Sequence, residues 1–182
     1  MSEKRRRFEA QALPHLDAAY NLARRIARPP LDADDIVQDA MLRALRSFET
    51  FRGDNMKPWL LSIVRNCMLT AAGQTQRRVS VPLPSDAELD LSELALIASD
   101  PDPEEVVMQS EQTRKMNWII GSMPQDFREV LVLREMEDLS YRQIADIIGV
   151  PIGTVMSRLA RARVLLKQNW VDQMEDMPHA LQ

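Results

Sequence analysis

The sequence predicts an all-α fold: two small helical domains joined by an acidic flexible linker, the second ending in a helix-turn-helix. Three observations predict it. The chain is rich in Leu, Ala, Met, Arg and Glu and carries five glycines in 182 residues, a composition that favours helix over strand. Apolar residues recur at helical spacing through most of its length, as the buried stripes of amphipathic helices do. Residues 77–104 break that pattern with Pro82, Pro84, Pro101 and Pro103, and they lack aromatics.

In order along the chain, Phe8 to about Arg28 reads as a helix stopped by Pro29-Pro30. Asp32 is the expected N-cap of the next helix, with Asp34 and Asp35 in its first turn, where the helix dipole favours negative charge. Ile36, Val37, Ala40, Met41, Ala44, Leu45 and Phe48 form its apolar stripe. Asp35, Gln38, Asp39, Arg43 and Arg46 are left on exposed faces. The segment Glu49–Lys57 contains Arg52-Gly53-Asp54-Asn55, which is turn chemistry. Pro58 opens a helix through Trp59 and Cys67 that is expected to end near Gly73. Spaced with Leu60 and Ile63, Trp59 reads as core rather than as a stacking platform. Beyond the linker, Glu104 to about Met123 reads as a helix broken at Pro124. Asp126–Met136 reads as another, with Phe127, Val130, Leu131 and Leu133 as its core. The tail after about Trp170 is polar and expected to fray.

Residues 140–163 carry the most specific pattern. Ile144, Ile148, Val150 and Val155 can hold two helices together, and Ala145 is small where they must approach. Gly149 stands at the turn, where glycine readily supplies positive φ. Pro151 suits the start of the second helix. Ile152, Val155, Leu159, Ala162 and Leu166 then repeat as one buried face, leaving Thr154, Ser157, Arg158 and Arg161 on another. Periodicity alone fits a core helix with a solvated arginine face. The small residue, turn glycine and basic second helix together point to a helix-turn-helix that touches DNA through hydroxyl and guanidinium groups.

Composition bounds the rest. Hydrophobic residues make up 45% of the chain, enough for packed cores. No apolar run reaches the roughly eighteen residues that suggest a membrane span, so no membrane insertion is expected. The start, Met1-Ser-Glu-Lys-Arg-Arg-Arg, lacks the apolar core of a secretory signal, and Arg5-Arg6-Arg7 reads as a solubilising run. The single cysteine, Cys67, excludes an internal disulfide and fits a reducing cytoplasm. His15 and His179 do not form metal-site spacing, and no metal or cofactor is expected. The net charge of −4 hides an uneven distribution. Residues 79–113 carry acidic groups from Asp86 to Glu111 and no lysine or arginine. Residues 140–170 carry Arg142, Arg158, Arg161, Arg163 and Lys167 against Asp146 alone. The modest positive total implies weak DNA binding by the free chain, because affinity follows the number of phosphates neutralised.

Three segments resemble the extracytoplasmic-function group of bacterial RNA polymerase sigma factors. Residues 32–45 are similar to that family's polymerase-docking helix. Residues 51–66 resemble its −10 recognition loop and following helix. Residues 123–163 resemble its −35 module. The resemblance implies a promoter-specificity subunit with no catalysis of its own. It divides the chain into residues 1–76, docking on core RNA polymerase and recognising the −10 element; 77–104, the linker; and 105–182, recognising the −35 element. By resemblance, Asp34, Asp35, Gln38, Asp39, Leu42 and Arg43 contact the polymerase. Taken alone, that face reads as solvated helix surface. Arg52, Gly53, Asp54, Asn55, Met56, Lys57, Arg65 and Asn66 match the segment on the single-stranded −10 DNA, with Arg77 and Arg78 able to follow its phosphates. Pro151, Gly153, Thr154, Met156, Ser157, Arg158, Ala160, Arg161 and Arg163 match the duplex −35 contacts. Gly153, Thr154 and Arg158 are expected on phosphates, Ser157 and Arg161 on base edges. The family also implies control by an anti-sigma factor and a linker routed along the RNA exit path, although composition alone describes a solvated tether.

Two other readings differ in class. A stand-alone regulator using residues 139–167 leaves the Asp34–Asp39 face and the 51–57 loop without a role. A hydrolase with Cys67 as nucleophile lacks a histidine at recognisable spacing, and a packed cysteine accounts for Cys67.

Overall fold

Pro14 decides the first structural feature. A proline inside a helix has no amide hydrogen to donate and clashes with the preceding turn. The structure, a computed structural model, describes residues 3–28, 31–79 and 111–175. In it the expected single N-terminal helix is two: α1 (Glu3–Ala12) and α2 (Leu16–Ile26), joined by a 3-10 turn over Leu13–His15. Among the described residues all regular structure is helical.

In α2 the buried face is Ala18, Ala19, Leu22, Ala23 and Ile26. Its alanines let α3 (Ala33–Ser47) and α4 (Met56–Val79) approach closely. The Asp32 carboxylate caps α3 by accepting from the Asp34 amide at 2.8 Å, satisfying a donor that the first turn leaves free. Ile36, Val37, Ala40 and Ala44 are buried beneath it, whereas Met41 and Leu45 of the expected stripe are half-buried. A 3-10 turn, Phe48–Thr50, follows, and the Phe48 ring meets Phe8 edge-on at 5.5 Å, tying α1 to the end of α3. Helix α4 begins at Met56, ahead of Pro58, which falls in the first turn where its missing amide hydrogen is harmless. Gly73 does not end α4, which continues to Val79. A helical glycine costs about 1 kcal/mol against alanine, too little to stop an established helix.

The linker expected at 77–104 lies, from residue 80 onward, outside the described residues, as does the start of the helix expected at Glu104. The second domain begins with α5 (Glu111–Ser122), and α6 (Gln125–Leu131) follows Pro124. The helix expected over 126–136 is not uniform. Val132–Met136 widens into a π turn, closed by the Glu137 amide on the Val132 carbonyl at 3.2 Å. Asp138 then takes a left-handed conformation, with φ of 52°. Phe127, expected in the core, is half-buried, while Arg128 and Glu129 are buried beside Val130–Leu133.

Helix α7 (Tyr141–Ile148) starts with a complete capping box. The Gln143 amide donates to Ser140 Oγ at 3.2 Å and the Ser140 amide to Gln143 Oε1 at 2.9 Å. It ends at Gly149, whose φ of 73° lets its amide close on the Ala145 carbonyl at 2.8 Å. Helix α8 (Ile152–Glu175) continues past the expected fraying point at Trp170. Among its described side chains Val155, Leu159 and Ala162 are buried, and Leu166 is half-buried. Ile152 is 44% exposed rather than core.

The two domains do not stand apart. Helix α2 packs on α5 and α6, and α4 packs on α7, so the buried residues of both halves form one continuous cluster. Fully burying a side chain such as Leu22 or Leu60 contributes roughly 1.5–3 kcal/mol.

Candidate nucleic-acid interface

The helix-turn-helix exposes the first turns of α8. Pro151, Gly153, Met156, Ser157, Ala160, Arg161 and Arg163 are exposed, and Thr154 and Arg158 are half-buried. The Thr154 and Val155 amides close on the Pro151 carbonyl at 2.9 and 3.2 Å, fixing the entry to α8. Ser157 Oγ donates to the Thr154 carbonyl at 3.0 Å and keeps its lone pairs outward. Arg161 is exposed with no resolved carboxylate partner among the described residues. Two arginines of the same set are engaged within the chain. Arg158 lies 2.7 Å from the Asp126 carboxylate, and Arg163 lies 2.6 Å from Glu135. The Glu135 carboxylate, hydrogen-bonded to Arg163, raises that guanidinium further above its ordinary range.

The second set lies between α3 and α4. Arg52, Gly53, Asp54 and Asn55 are exposed, and Asn55 Oδ1 accepts from the Lys57 amide at 3.2 Å, capping α4. Phe51 and Trp59 pack with ring centroids 5.0 Å apart, and a side chain at Gly53 would press on Phe51. Trp59 is thus half-buried packing, in line with its helical spacing. Met56, expected on DNA, is instead 5% exposed. Its backbone opens α4, and its side chain is buried, as is that of Leu60. Asn66 is exposed, but Lys57 and Arg65 are engaged by the second domain. Arg65 pairs with Glu129 through two hydrogen bonds, the Nη2 to Oε2 bond at 3.3 Å. Lys57 Nζ donates to the Glu137 carbonyl at 2.8 Å and sits 2.9 Å from its carboxylate. Burial and the nearby Lys57 cation lower the His15 imidazole below its ordinary value.

The third set lies on α3. Asp34, Asp35, Gln38, Leu42 and Arg43 are exposed and Asp39 is half-buried. Asp39 and Arg43 pair along the helix at 2.8 Å, and Leu42, half exposed, stands beside them. This surface joins an apolar side chain to acids and an amide, a combination suited to a partner helix carrying arginines.

The family profile described as Sigma-70 region 2 matches residues 13–78, and that described as Sigma-70, region 4 matches residues 119–166. The ECF RNA polymerase sigma-E factor of Haemophilus influenzae is 37% identical over 141 residues, covering 75% of this chain and 73% of that protein. The chain belongs to the extracytoplasmic-function sigma factors. The RNA polymerase sigma-H factor of Pseudomonas aeruginosa is 32% identical across 87% of this chain and 83% of its own length. The ECF sigma factor SigE of Mycolicibacterium smegmatis is 32% identical across 84% of this chain, which spans 57% of that relative. Among solved structures, the sigma factor RpoE of Bartonella quintana, in complex with the anti-sigma factor NepR, superposes with a TM-score of 0.72. It is 26% identical and covers 90% of this chain and 96% of its own. The fold is shared with CnrH, solved with the cytosolic domain of CnrY, at a TM-score of 0.59 and 23% identity, over 93% of this chain and 90% of that one.

Within this sigma factor, the residues that sequence reasoning missed are the acids that engage its candidate DNA-binding cations: Asp126, Glu129, Glu135 and Glu137. No signal in the sequence marked Glu129: it is the structure that buries Arg128–Leu133 consecutively, and a helix buried all round needs partners on every side. Cys67 is buried, and burial pushes its thiol up to about 11. It is a packed, protonated group at neutral pH, the opposite of an activated nucleophile. No described helix is long and apolar enough to cross a membrane, and no described cluster of His, Cys, Asp or Glu is placed to hold a metal.

Proposed function

We propose that this sigma factor is the promoter-specificity subunit of a bacterial RNA polymerase, acting in the cytoplasm to recognise −35 and −10 elements and open the promoter. The observation that carries this reading is the pairing, in one chain, of a region 2 match over α2–α4 with a region 4 match over α5–α8. The latter ends in a helix-turn-helix whose glycine holds φ of 73°. The division follows as residues 1–76 for polymerase and −10 DNA, 77–104 for the linker, and 105–182 for −35 DNA.

The roles follow from exposure and chemistry. Ser157 and Arg161 project where a recognition helix meets base edges in the major groove. The exposed start of α8 at Gly153 and Thr154 suits phosphate, because the Gly153 amide and the helix dipole favour anions. Arg52 to Asn55, with Asn66, present polar groups beside the Phe51–Trp59 pair to an unpaired strand. Capturing unpaired bases shifts the duplex toward the open state through differential binding, so opening needs no bond chemistry from the sigma factor itself. Asp34, Asp35, Gln38, Asp39, Leu42 and Arg43 dock the polymerase. Control by an anti-sigma factor is supported by the Bartonella quintana relative, which was solved with one.

Transcription from a pooled library of random upstream sequences, with core polymerase and this protein, tests the proposal. Transcripts starting at a fixed distance from an enriched two-part motif are expected. Duplex binding without protein-dependent initiation would replace this reading with a stand-alone regulator.

A further inference from the structure

The exposed side of α8 is poor in groups that form hydrogen bonds. From residue 152 to 161 that side carries Ile152, Gly153, Met156, Ser157, Ala160 and Arg161. Arg161 is the one charge among these six, and the Ser157 hydroxyl already gives its hydrogen to the Thr154 carbonyl. Two of the six are large and apolar: Ile152 is 44% exposed and Met156 52%. Neither belongs to the side chains packed against the core. They stand four residues apart, so both lie on one ridge of the helix. Beside Met156, Gly153 has no side chain and only open space where one would stand, and Ala160 has a single methyl. The methionine therefore projects past both.

We propose that Met156, with Ile152 one turn before it, reads the C5 methyl of thymine in the major groove of the −35 element. The inference rests on the −35 role proposed for α8. Every base presents donors or acceptors in that groove, and thymine alone adds a methyl. A thioether chain and a branched alkyl chain gain little from the polar groups, but they exclude water when they cover the methyl. Three rotatable bonds let methionine adapt to where the methyl lies. The ridge from Ile152 to Met156 covers about 6 Å of helix, two base-pair steps or fewer. Thymine at one or two positions within that span is expected. An exposed apolar pair can also take a protein helix. Continuity favours DNA, because Ser157 follows Met156 directly and Arg161 stands one turn beyond Ser157, both on the side assigned to base edges.

Deoxyuridine tests the proposal, because it differs from thymidine only in lacking the methyl. Holoenzyme is assembled from the full chain and core polymerase. Its binding to a selected promoter is compared with its binding to copies carrying deoxyuridine for each −35 thymidine in turn. A loss of about fourfold for each methyl covered is expected, at one position or two neighbouring ones. Met156→Ala is expected to abolish the difference at the position it reads. It should leave the salt dependence of binding unchanged, since no phosphate contact is lost. Both side chains are exposed, so the helical signal in circular dichroism should hold in Met156→Ala and Ile152→Ala, and the deoxyuridine comparison on the parent needs no variant.

Equal binding of thymidine and deoxyuridine at every position would overturn the proposal, as would a selected element without A·T pairs. So would a difference that persists when Met156→Ala and Ile152→Ala are combined. Met156→Ala that keeps the thymine preference but weakens binding to core polymerase would assign the ridge to a protein surface instead. Arg161→Ala separates this inference from the reading beneath it. If Arg161→Ala alters base preference while deoxyuridine has no effect, the −35 role of α8 stands and the methyl contact falls. If the holoenzyme shows no −35 base preference, both fall.

Discussion

Arg158, on the exposed side of the second helix of the helix-turn-helix, is held 2.7 Å from Asp126 at the start of α6. The pair fixes the angle of α8 against α6 and partly neutralises a cation otherwise available to a phosphate. Asp126→Ala is expected to strengthen binding to duplex DNA of unrelated sequence. It should also steepen the dependence of log K on log salt by up to about 0.9, one further phosphate contact. Fluorescence anisotropy over a salt series measures both; an unchanged slope would mean that Arg158 serves packing alone.

Arg161 has the opposite surroundings, exposed on the same helix. Arg161→Ala is expected to lower discrimination at one −35 position by roughly 1–3 kcal/mol. Competition between single-base variants of the selected promoter measures it. Equal weakening on every variant would place Arg161 on the backbone.

Arg128 carries a buried charge without a carboxylate partner among the described residues. Arg128→Met is expected to stabilise the chain by about 1–2 kcal/mol, because an apolar side chain of similar length removes two unsatisfied donors at the domain boundary. Below pH 10 the guanidinium is charged in both folded and unfolded states, so the gain should hold across neutral pH. Urea unfolding gives the value.

Gly149 has φ of 73° with nothing near its missing Cβ. Space is therefore not the obstacle to a side chain there; backbone conformation is. Gly149→Ala should cost about 1–2 kcal/mol, and Gly149→Asn less, since asparagine tolerates the left-handed region. Thermal unfolding of the two variants separates them.

Cys67 is buried, with its thiol raised from 9.0 to about 11 by burial. The unfolded thiol ionises first as pH rises, so the native state retains the extra proton between those values. Stability should therefore fall with rising pH across that window, by up to about 3 kcal/mol at its upper end. Cys67→Ala should flatten that part of the stability profile. Alkylation of the native thiol at pH 8 should be far slower than that of the unfolded chain.

The sequence by itself determined what depends on near neighbours. The stripe Ile36, Val37, Ala40 and Ala44, the Asp32 cap and the turn at Gly149 each follow from spacing or from a side chain within a few residues of its partner. Boundaries were less legible where two local signals competed. Pro14 broke a helix that periodicity would have continued, and Gly73 failed to end one because neighbouring turns held it. The exposed face of α8 could be read in the same way, since a helix buries one side and presents the other. Only the tertiary structure decided that Arg65 meets Glu129, sixty-four positions away, and that Lys57 meets Glu137, eighty away. It also decided that Met56 turns inward and that Arg128 is buried without a counter-charge among the described residues. Helical periodicity specifies which face of a segment is apolar. Which charges lie opposite each other, and how much water remains between them, depends on how two domains distant in sequence come to rest on one another.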